Sequence, residues 1–248
     1  MSYLGYIKPI SALLSHIDNP SILEIGVDYG QSALPLIHNL CLNDDFMYQG
    51  IDIKIRGEFL EQALQMHNVF IHGVNSPGDE KTNVILYHGN SLRVLPDLRD
   101  AEFKFDLILI DGDHNYFTVS RELEIIKDMI YPSTIVICDD YNTRWAEKDL
   151  YYGEKDTYAN NPLATKRQET ESVGVKNAIL DFLKDNPGWS LQSYAGDPCF
   201  LFYNEHINFS LDMSNCNTTI SNAQPMINFK TRESLGRFKK EMHETLMG

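Results

Sequence analysis

Cysteine is scarce in this chain. Its 248 residues include only four cysteines, and none of them forms a CxxC pair. Their wide spacing argues against both a disulfide framework and a zinc–thiolate site. Cys138 and Cys199 lie inside apolar runs, which is typical of small buried core residues, whereas Cys41 and Cys216 do not. We therefore expect a reducing environment, the cytoplasm.

Long hydrophobic runs are also missing. No stretch approaches the roughly 18 apolar residues that a transmembrane helix needs, so we expect no membrane association. The first 20 residues lack the basic start and apolar centre of a secretory signal.

Basic residues are few: 21 Lys and Arg stand against 35 Asp and Glu, a net charge of −14. A surface this acidic repels a phosphate backbone. The one basic cluster, residues 230–240, alternates with acids and is typical of a solvated helix face. Nucleic acid is therefore a poor substrate candidate.

Apolar, β-branched runs alternate with amphipathic stretches along the first 140 residues. We predict strands over residues 21–27, 48–53, 83–88, 105–111 and 134–139, and helices over residues 30–42, 57–66 and 118–129. After a helix over residues 173–183, strands at 189–194 and 198–204 are linked tightly enough to form an antiparallel hairpin. This order predicts an α/β, Rossmann-like, doubly wound sheet that is mostly parallel.

The remaining segments divide the chain. Residues 1–20 form an N-terminal helical segment before the domain of residues 21–204. Residues 141–172 are long, polar and aromatic, with no clear strand, and a segment of this kind usually has a function such as that of a lid. Residues 205–248 are an appendage that ends in a charged helix over 231–247, and we expect it to cover the site or to join subunits in a homo-oligomer.

A turn with two glycines, Gly26 and Gly30, follows the first predicted strand. Glycine lets the backbone turn sharply and approach a ligand, and the next helix directs its positive N-terminus there. Glu24 suits a ligand with positive groups better than a pyrophosphate. The dinucleotide fingerprint GxGxxG is absent, because Val27 and Asp28 stand where pyrophosphate needs glycine. An ordinary strand-to-helix turn would explain the two glycines equally well.

The next two strands add polar residues at the same sheet edge. Asp52 ends the second strand, where an acid hydrogen-bonds ribose hydroxyls in doubly wound sheets. Asn90 follows the third strand and has an amide that can read adenine, and Ser91 can cap the next helix. Together with Gly26 they predict a nucleoside site.

The fourth and fifth strands end in acids: Asp111 and Asp113, then Asp139 and Asp140. Clustered carboxylates are costly unless a cation neutralises them. Oxygen ligands suit a hard ion such as Mg²⁺ or Mn²⁺. Each motif alone is equally consistent with a helix cap, as for Asp113, or with a solvated loop.

The order EIGxxxG, GIDI, HGNS, FDLILIDGDHNY, IVICDDY and a final strand pair resembles class I S-adenosylmethionine-dependent methyltransferases. The resemblance covers residues 20–204. It is strongest for metal-dependent small-molecule O-methyltransferases of the catechol, caffeoyl-CoA and macrolide-sugar types, and the cephalosporin-hydroxylase-like group is also similar. It implies a seven-stranded sheet with an antiparallel final strand.

The resemblance also implies roles for residues. The cofactor pocket would be lined by residues from four strand ends: Glu24, Gly26, Gly30, Asp52, Asn90, Ser91 and Asp111. The metal ligands would be Asp111, Asp139 and Asp140, with Asp113 as an alternative. His114, three residues after Asp111, occupies the general-base position, where histidine suits proton removal near neutral pH.

Three aromatic residues near these motifs, Tyr116, Tyr141 and Trp145, together with Asp113, are candidates for the substrate pocket; packing of the lid explains the aromatic residues equally well. The leading hypothesis is Mg²⁺-dependent O-methylation of a small hydroxylated molecule, a sugar or an aromatic. The alternatives are a metal-independent methyltransferase, a non-catalytic binding protein with the same fold, and a nicotinamide dehydrogenase, which the missing GxGxxG disfavours.

Overall fold

The computed structural model describes residues 3–40, 46–66, 69–72, 83–193, 198–203, 208–211 and 218–221. The predictions for Cys41, Cys216, the basic cluster 230–240 and the helix over 231–247 lie outside the described residues. Of the expected appendage, only two short strands are described.

Ten strands and six α-helices are described. The strands are β1 (Ser21–Ile25), β2 (Met47–Asp52), β3 (Val69–His72), β4 (Val84–His88), β5 (Phe105–Ile110), β6 (Ile130–Cys138), β7 (Ser190–Ser193), β8 (Cys199–Phe202), β9 (Asn208–Leu211) and β10 (Thr218–Ser221). The helices are α1 (Ile7–Leu14), α2 (Ala33–Leu40), α3 (Gly57–Met66), α4 (Ser91–Asp100), α5 (Tyr116–Ile126) and α6 (Val175–Asp185), with 3-10 turns at Tyr3–Tyr6 and Tyr152–Glu154.

The main sheet has the order β3-β4-β2-β1-β5-β6-β8-β7. All its strand pairs are parallel except β6 with β8 and β8 with β7, which are antiparallel. This confirms the α/β fold class and the final hairpin. The short edge strand β3 is additional to the strands read from the sequence, and β9 pairs with β10 in a separate two-stranded sheet.

The central strand β5 is buried along all six residues, because helices cover both faces of the sheet. One apolar cluster packs β-strand side chains against α4, α5 and α6, and includes Leu95, Leu123 and Ile179. The other packs the opposite face against α1, α2 and α3, and includes Leu36 and Phe59. The carboxyl ends of β1, β2, β4 and β5 therefore meet at one edge between these layers.

Asparagine side chains cap the N-termini of two helices. The Asn90 side chain accepts a hydrogen bond from the Leu92 amide and caps α4, so the cap is not Ser91. Asn115 does the same for α5 by accepting from the Thr118 amide, so the cap is not Asp113. The acids after β5 are thereby left for other contacts.

No helix among the described residues is long and apolar enough to cross a membrane. The segment 141–172, which we call the lid, contains the 3-10 turn Tyr152–Glu154 and a bridge from Leu150 to His114, and is otherwise built of turns and irregular chain.

Candidate active site

A cavity of about 250 Å³ opens at the carboxyl ends of the parallel strands, where open α/β sheets bind ligands. Its wall is formed by strand ends, the loops after them and the lid: Ile25, Gly26, Asp28, Ile51, Asp52, Ile53, Arg56, Gly89, Asn90, Ser91, Asp111, Gly112, Asp113, Tyr152, Tyr158 and Thr165. Five of the seven predicted cofactor residues are among them, and the exceptions are Glu24 and Gly30.

Gly26 and Gly30 both have positive φ angles, +90° and +72°. A Cβ on Gly26 would lie 2.0 Å from the backbone oxygen of Asp111, and one on Gly30 would lie 2.1 Å from Cδ2 of Phe59. Gly26 therefore lets β1 and β5 end side by side at the cavity. Gly30 allows the turn to pack on α3, which is a structural reason for the glycine and not a ligand contact.

Glu24 does not lie on the cavity wall. Its side chain is fully buried, and its two carboxylate oxygens accept hydrogen bonds from the hydroxyls of Ser32 and Tyr48, the latter at 2.6 Å. The structure thus places Glu24 in the packing between β1, β2 and the turn before α2. Because β1 is buried on both faces, its sequence did not reveal which face each side chain occupies.

Asp52 lies on the wall as predicted. Its Oδ2 accepts from the Asp28 amide at 2.7 Å, and its Oδ1 accepts from the Lys54 amide at 2.8 Å. These bonds hold the carboxylate at the end of β2. Burial raises the pKa of Asp52, although the backbone hydrogen bonds lower it in part.

Asn90 and Ser91 line the cavity, but each already has protein partners. The Asn90 amide donates to the backbone oxygen of Leu163 at 2.7 Å and to Oγ1 of Thr165 at 3.0 Å. Ser91 donates to Oε1 of buried Glu122 at 2.6 Å. Asn90 is therefore the link between α4 and the lid, and its predicted contact with adenine remains a prediction.

The lid forms the roof of the cavity, which agrees with the lid function expected from the sequence, but the contacts that hold it there were not predicted. Tyr158 accepts a hydrogen bond from Nη2 of Arg56 at 2.7 Å, and Asn161 donates to the backbone oxygen of Ile53 at 2.9 Å. Arg56 also pairs with Asp28 at 3.0 Å. The two contacts with the lid join residues 102 and 108 positions apart, so no local motif could have indicated them.

His114 is 8% exposed and lies between two of the predicted acids. Its Nδ1 is 2.9 Å from Oδ2 of Asp140, and its Nε2 is 4.0 Å from Oδ1 of Asp111. The ring of Tyr152 lies beside it, with centroids 5.8 Å apart. The structure therefore brings together the predicted base and two predicted acids, next to the cavity wall that Asp111 and Tyr152 form.

Asp140 is positioned by the backbone as well as by its partners. Its φ angle is +59°, a left-handed conformation that aspartate tolerates better than most residues. Thr143 donates a hydrogen bond to its Oδ1. Burial by itself raises the pKa of Asp140, but the hydrogen bond and charge of His114 and the bond from Thr143 outweigh it, and the pKa is lowered.

The predicted metal ligands do not form a metal site in this structure. Across the described ranges, no group of three or more His, Cys, Asp and Glu side chains is arranged to hold a metal ion. Asp140 is directed to His114, whereas Asp113 accepts from the Tyr152 amide at 2.9 Å and so holds the lid. Burial raises the pKa of Asp113, and this hydrogen bond lowers it in part. The side chains as placed therefore do not form the expected site, and the assignment of Asp111, Asp139 and Asp140 as metal ligands stays a prediction.

The three predicted substrate aromatics also lie away from the described cavity wall. The hydroxyl of Tyr116 donates to Asp181 at 2.9 Å. Tyr141 is buried in the apolar core, and the Trp145 ring lies under the Arg144 guanidinium, 4.4 Å away. Contacts with α6, with the apolar core and with Arg144 account for these three residues. The aromatic wall of the cavity is made by Tyr152 and Tyr158 instead.

The cavity wall carries four carboxylates, those of Asp28, Asp52, Asp111 and Asp113, and one cationic side chain, that of Arg56. This charge favours a ligand with positive groups and disfavours a pyrophosphate. A sulfonium nucleoside with an amino-acid tail therefore fits the wall better than a dinucleotide.

Comparison with known families supports the same conclusion. A family model described as a methyltransferase domain matches residues 23–141. The match runs from within β1 to the first residue of the lid, so it includes every strand end that contributes to the cavity. No curated protein matches the chain.

Solved structures of similar fold include three O-methyltransferases. One from Bacillus cereus, in complex with S-adenosylhomocysteine (SAH), is 16% identical with a TM-score of 0.53, over 81% of this chain and 80% of that chain. TomG from Streptomyces achromogenes, in complex with S-adenosylmethionine, is 16% identical with a TM-score of 0.51, over 80% and 79%. CalS11, a TDP-rhamnose 3'-O-methyltransferase of calicheamicin biosynthesis, is 15% identical with a TM-score of 0.52, over 82% and 79%.

Proposed function

We propose that this chain, a class I S-adenosylmethionine-dependent methyltransferase, methylates a hydroxyl group of a small molecule with His114 as the general base. The observation that carries the proposal is the 2.9 Å contact between Nδ1 of His114 and Oδ2 of Asp140, with Nε2 of the same ring 4.0 Å from Asp111 on the cavity wall.

The Asp140 contact determines which nitrogen of His114 can act as the base. The pKa of Asp140 is lowered, so near neutral pH its carboxylate is ionised and can only accept a hydrogen bond. The proton of neutral His114 is therefore on Nδ1, and Nε2 presents a lone pair. An acceptor hydroxyl within reach of Nε2 would lose its proton to His114 as its oxygen becomes the nucleophile.

The cofactor, when bound, supplies an activated methyl group. Asp52 is placed to accept hydrogen bonds from ribose hydroxyls, and Asp28 and Asp111 place negative charge where a sulfonium and an ammonium group are to be held. Tyr152 and Tyr158 of the lid cover the cavity and exclude water. Most of the remaining acceleration then comes from holding the hydroxyl and the methyl group in line.

A hydroxyl oxygen is favoured over a nitrogen as the methyl acceptor because the site supplies a base. A neutral amine can attack without prior loss of a proton, whereas a hydroxyl near neutral pH needs a partner that removes it. The three structural neighbours agree with this, because all are O-methyltransferases and one is a TDP-rhamnose 3'-O-methyltransferase. We propose a sugar or aromatic hydroxyl as the acceptor.

The proposed reaction uses no metal ion. The sequence favoured Mg²⁺ or Mn²⁺ on Asp111, Asp139 and Asp140, but among the described residues these acids do not converge on one point, and Asp140 is engaged by His114. The proton transfer assigned to His114 needs no Lewis acid. This corresponds to the metal-independent alternative that the sequence left open.

The test has two stages. Isothermal titration of the protein with SAH and with NAD should give heat only with SAH, and no heat with SAH would overturn the proposed function. Incubation with methyl-labelled S-adenosylmethionine and a panel of sugar and phenolic acceptors should then label hydroxyl oxygens. Label found only on nitrogen, or equal labelling by H114A, would remove the hydroxyl assignment and the base.

A further inference from the structure

Glu122, on α5, is a buried acid next to the cavity that the proposed mechanism does not use. Its side chain is fully buried, and its Oε1 accepts a hydrogen bond from Ser91 at 2.6 Å. Its Oε2 has no hydrogen-bond partner among the described residues. Burial raises the pKa of Glu122 to about 8. A buried carboxyl with one partner is costly, so this arrangement calls for a functional reason.

The hydrogen bond to Glu122 determines whether the Ser91 hydroxyl can donate to a ligand in the cavity. A serine hydroxyl has one proton to donate and lone pairs that accept. When Glu122 is ionised it can only accept, so the single proton of Ser91 is committed to Glu122. Ser91 lines the cavity, and its oxygen can then only accept a hydrogen bond from a ligand.

The position of Ser91 points to the base of a bound nucleoside. Asp52 at the end of β2 is the candidate ribose partner, and β4, the strand paired with β2, leads directly to Ser91. The neighbouring Asn90 amide already donates to Leu163 and Thr165. The base would therefore meet an acceptor at Ser91, and adenine carries an amino donor at the position where hypoxanthine carries an oxygen acceptor.

We infer that the ionised carboxylate of Glu122 is a positioning group that fixes the Ser91 hydroxyl as an acceptor and so makes the cavity select the amino group of adenine. This inference rests on the proposed function, because it needs the cofactor in this cavity. It assigns cofactor discrimination to a residue that does not itself touch the ligand.

The experiment compares the dissociation constants of SAH and S-inosylhomocysteine, its hypoxanthine analogue, by isothermal titration at about pH 9, above the pKa of Glu122. At this pH the carboxylate is ionised. The wild type should prefer SAH by about tenfold or more, the effect of one unmatched buried hydrogen bond.

Three variants separate positioning from packing. Glu122→Gln keeps the shape, but its amide can donate to Ser91 and free the serine proton for the hypoxanthine oxygen, so the preference should fall towards equal affinity. Ser91→Ala removes the hydroxyl and should do the same. Glu124→Gln, on the exposed side of the same helix, is the matched control and should keep the wild-type preference.

The pH dependence of the preference for SAH gives a second readout. The titratable and polar groups that face Glu122 are Ser91 from α4, Asp113 after β5 and Cys138 at the end of β6. The preference of the wild type for SAH should weaken as the pH falls below about 8, when Glu122 gains a proton and can donate to Ser91. In E122Q the ratio should change only as far as the N1–H of hypoxanthine itself titrates in alkaline solution, and the difference between the wild type and E122Q reports Glu122.

The outcomes are distinguishable. No binding of SAH by the wild type would refute the proposed function. Binding of SAH by the wild type, with an unchanged ratio of the two dissociation constants in E122Q and S91A, would overturn this inference alone. A loss of affinity for both ligands by the same factor would show that Glu122 only supports the packing, and would equally overturn it.

Discussion

Asp140 holds His114 through a hydrogen bond of 2.9 Å between Oδ2 and Nδ1, which joins the end of β6 to the loop after β5. The two residues are 26 positions apart in the chain. Their pairing orients the ring so that its other nitrogen approaches Asp111 on the cavity wall. The catalytic role proposed for His114 therefore depends on the geometry of a second strand end.

Removal of His114 should affect catalysis and not cofactor binding. We expect H114A to lower kcat by about 10²–10⁴-fold, the usual contribution of a general base. The dissociation constant of SAH should stay close to the wild-type value, because His114 lies behind the described cavity wall. Turnover assays and isothermal titration check the two quantities, with H38Q on the exposed side of α2 as the control. An undiminished kcat would contradict the assignment.

Asp140→Asn should lower stability in a pH-dependent way. The pKa of Asp140 is lowered in the folded protein, so its stabilising contribution is present above the ordinary pKa of 3.8 and is lost as the pH falls through the folded value. At pH 7 we expect D140N to be less stable by about 1–3 kcal/mol. Asparagine also tolerates the positive φ angle.

Urea denaturation at pH 7 and at stepwise lower pH measures this difference. The gap between wild type and D140N should close below the ordinary pKa of aspartate. D100N, at an exposed acid, should track the wild type throughout. A gap that stayed constant with pH would mean that the charge of Asp140 does not stabilise the fold.

Glu122 should have the opposite pH dependence. Its pKa is raised from 4.5 to about 8 in the folded state, so folding favours the protonated form, and stability falls as the pH rises between these values. The loss is at most about 1.4 kcal/mol per pH unit in this range. E122Q should therefore gain thermal stability relative to the wild type at pH 8 and gain least at pH 4. A constant difference in Tm would refute the raised pKa.

The lid contact of Tyr158 should influence cofactor retention. Tyr158→Phe removes the hydroxyl that accepts from Arg56 at 2.7 Å and preserves the ring on the cavity wall. A net loss of about 0.5–1.5 kcal/mol corresponds to weaker SAH binding by about two- to tenfold. Stopped-flow measurement should assign the change to faster dissociation. Y203F, at a tyrosine that is 47% exposed, is the control.

Metal removal tests the mechanism without a substitution. After dialysis against EDTA, we expect full methyl transfer, because the described acids are not arranged as a metal site and the proposed base, His114, can remove the proton without a Lewis acid. Activity that disappears with EDTA and returns with Mg²⁺ would instead support the metal ligands that the sequence favoured. Addition of Ca²⁺-saturated EDTA controls for nonspecific effects of the chelator.

The sequence predicted the sheet well because its strongest signals are local. The apolar run that became β5 and the tight link that became the β7–β8 hairpin need no distant partner to be recognised. Asp52 was expected at the cavity for a related reason, since strand ends in a parallel sheet meet at one edge, and this prediction uses only the order of elements along the chain. The role of His114 came instead from the resemblance to metal-dependent O-methyltransferases.

The errors and omissions come from contacts that the order of elements does not determine. Glu24 was expected at the cofactor, but which face of a doubly buried strand a side chain occupies depends on its neighbours, here Ser32 and Tyr48. Arg56 and Tyr158 were missed because they meet only when the lid folds back over β2. Asp111 and Asp140, after β5 and β6, both lie next to His114, but the order of elements did not indicate that Asp140 would bond to His114 and Asp113 to the Tyr152 amide.

The double engagement of Asn90 has a consequence for any redesign of this protein. Its side-chain oxygen caps α4, and its side-chain nitrogen donates hydrogen bonds to Leu163 and Thr165, so the same amide stabilises both the helix and the lid. A lid transplanted from another protein to change the acceptor would remove two of these bonds. A change of the lid that alters the range of acceptors would therefore also alter how long the cofactor stays bound. In a lid graft, the residue at position 90 and its new partners need to be chosen together.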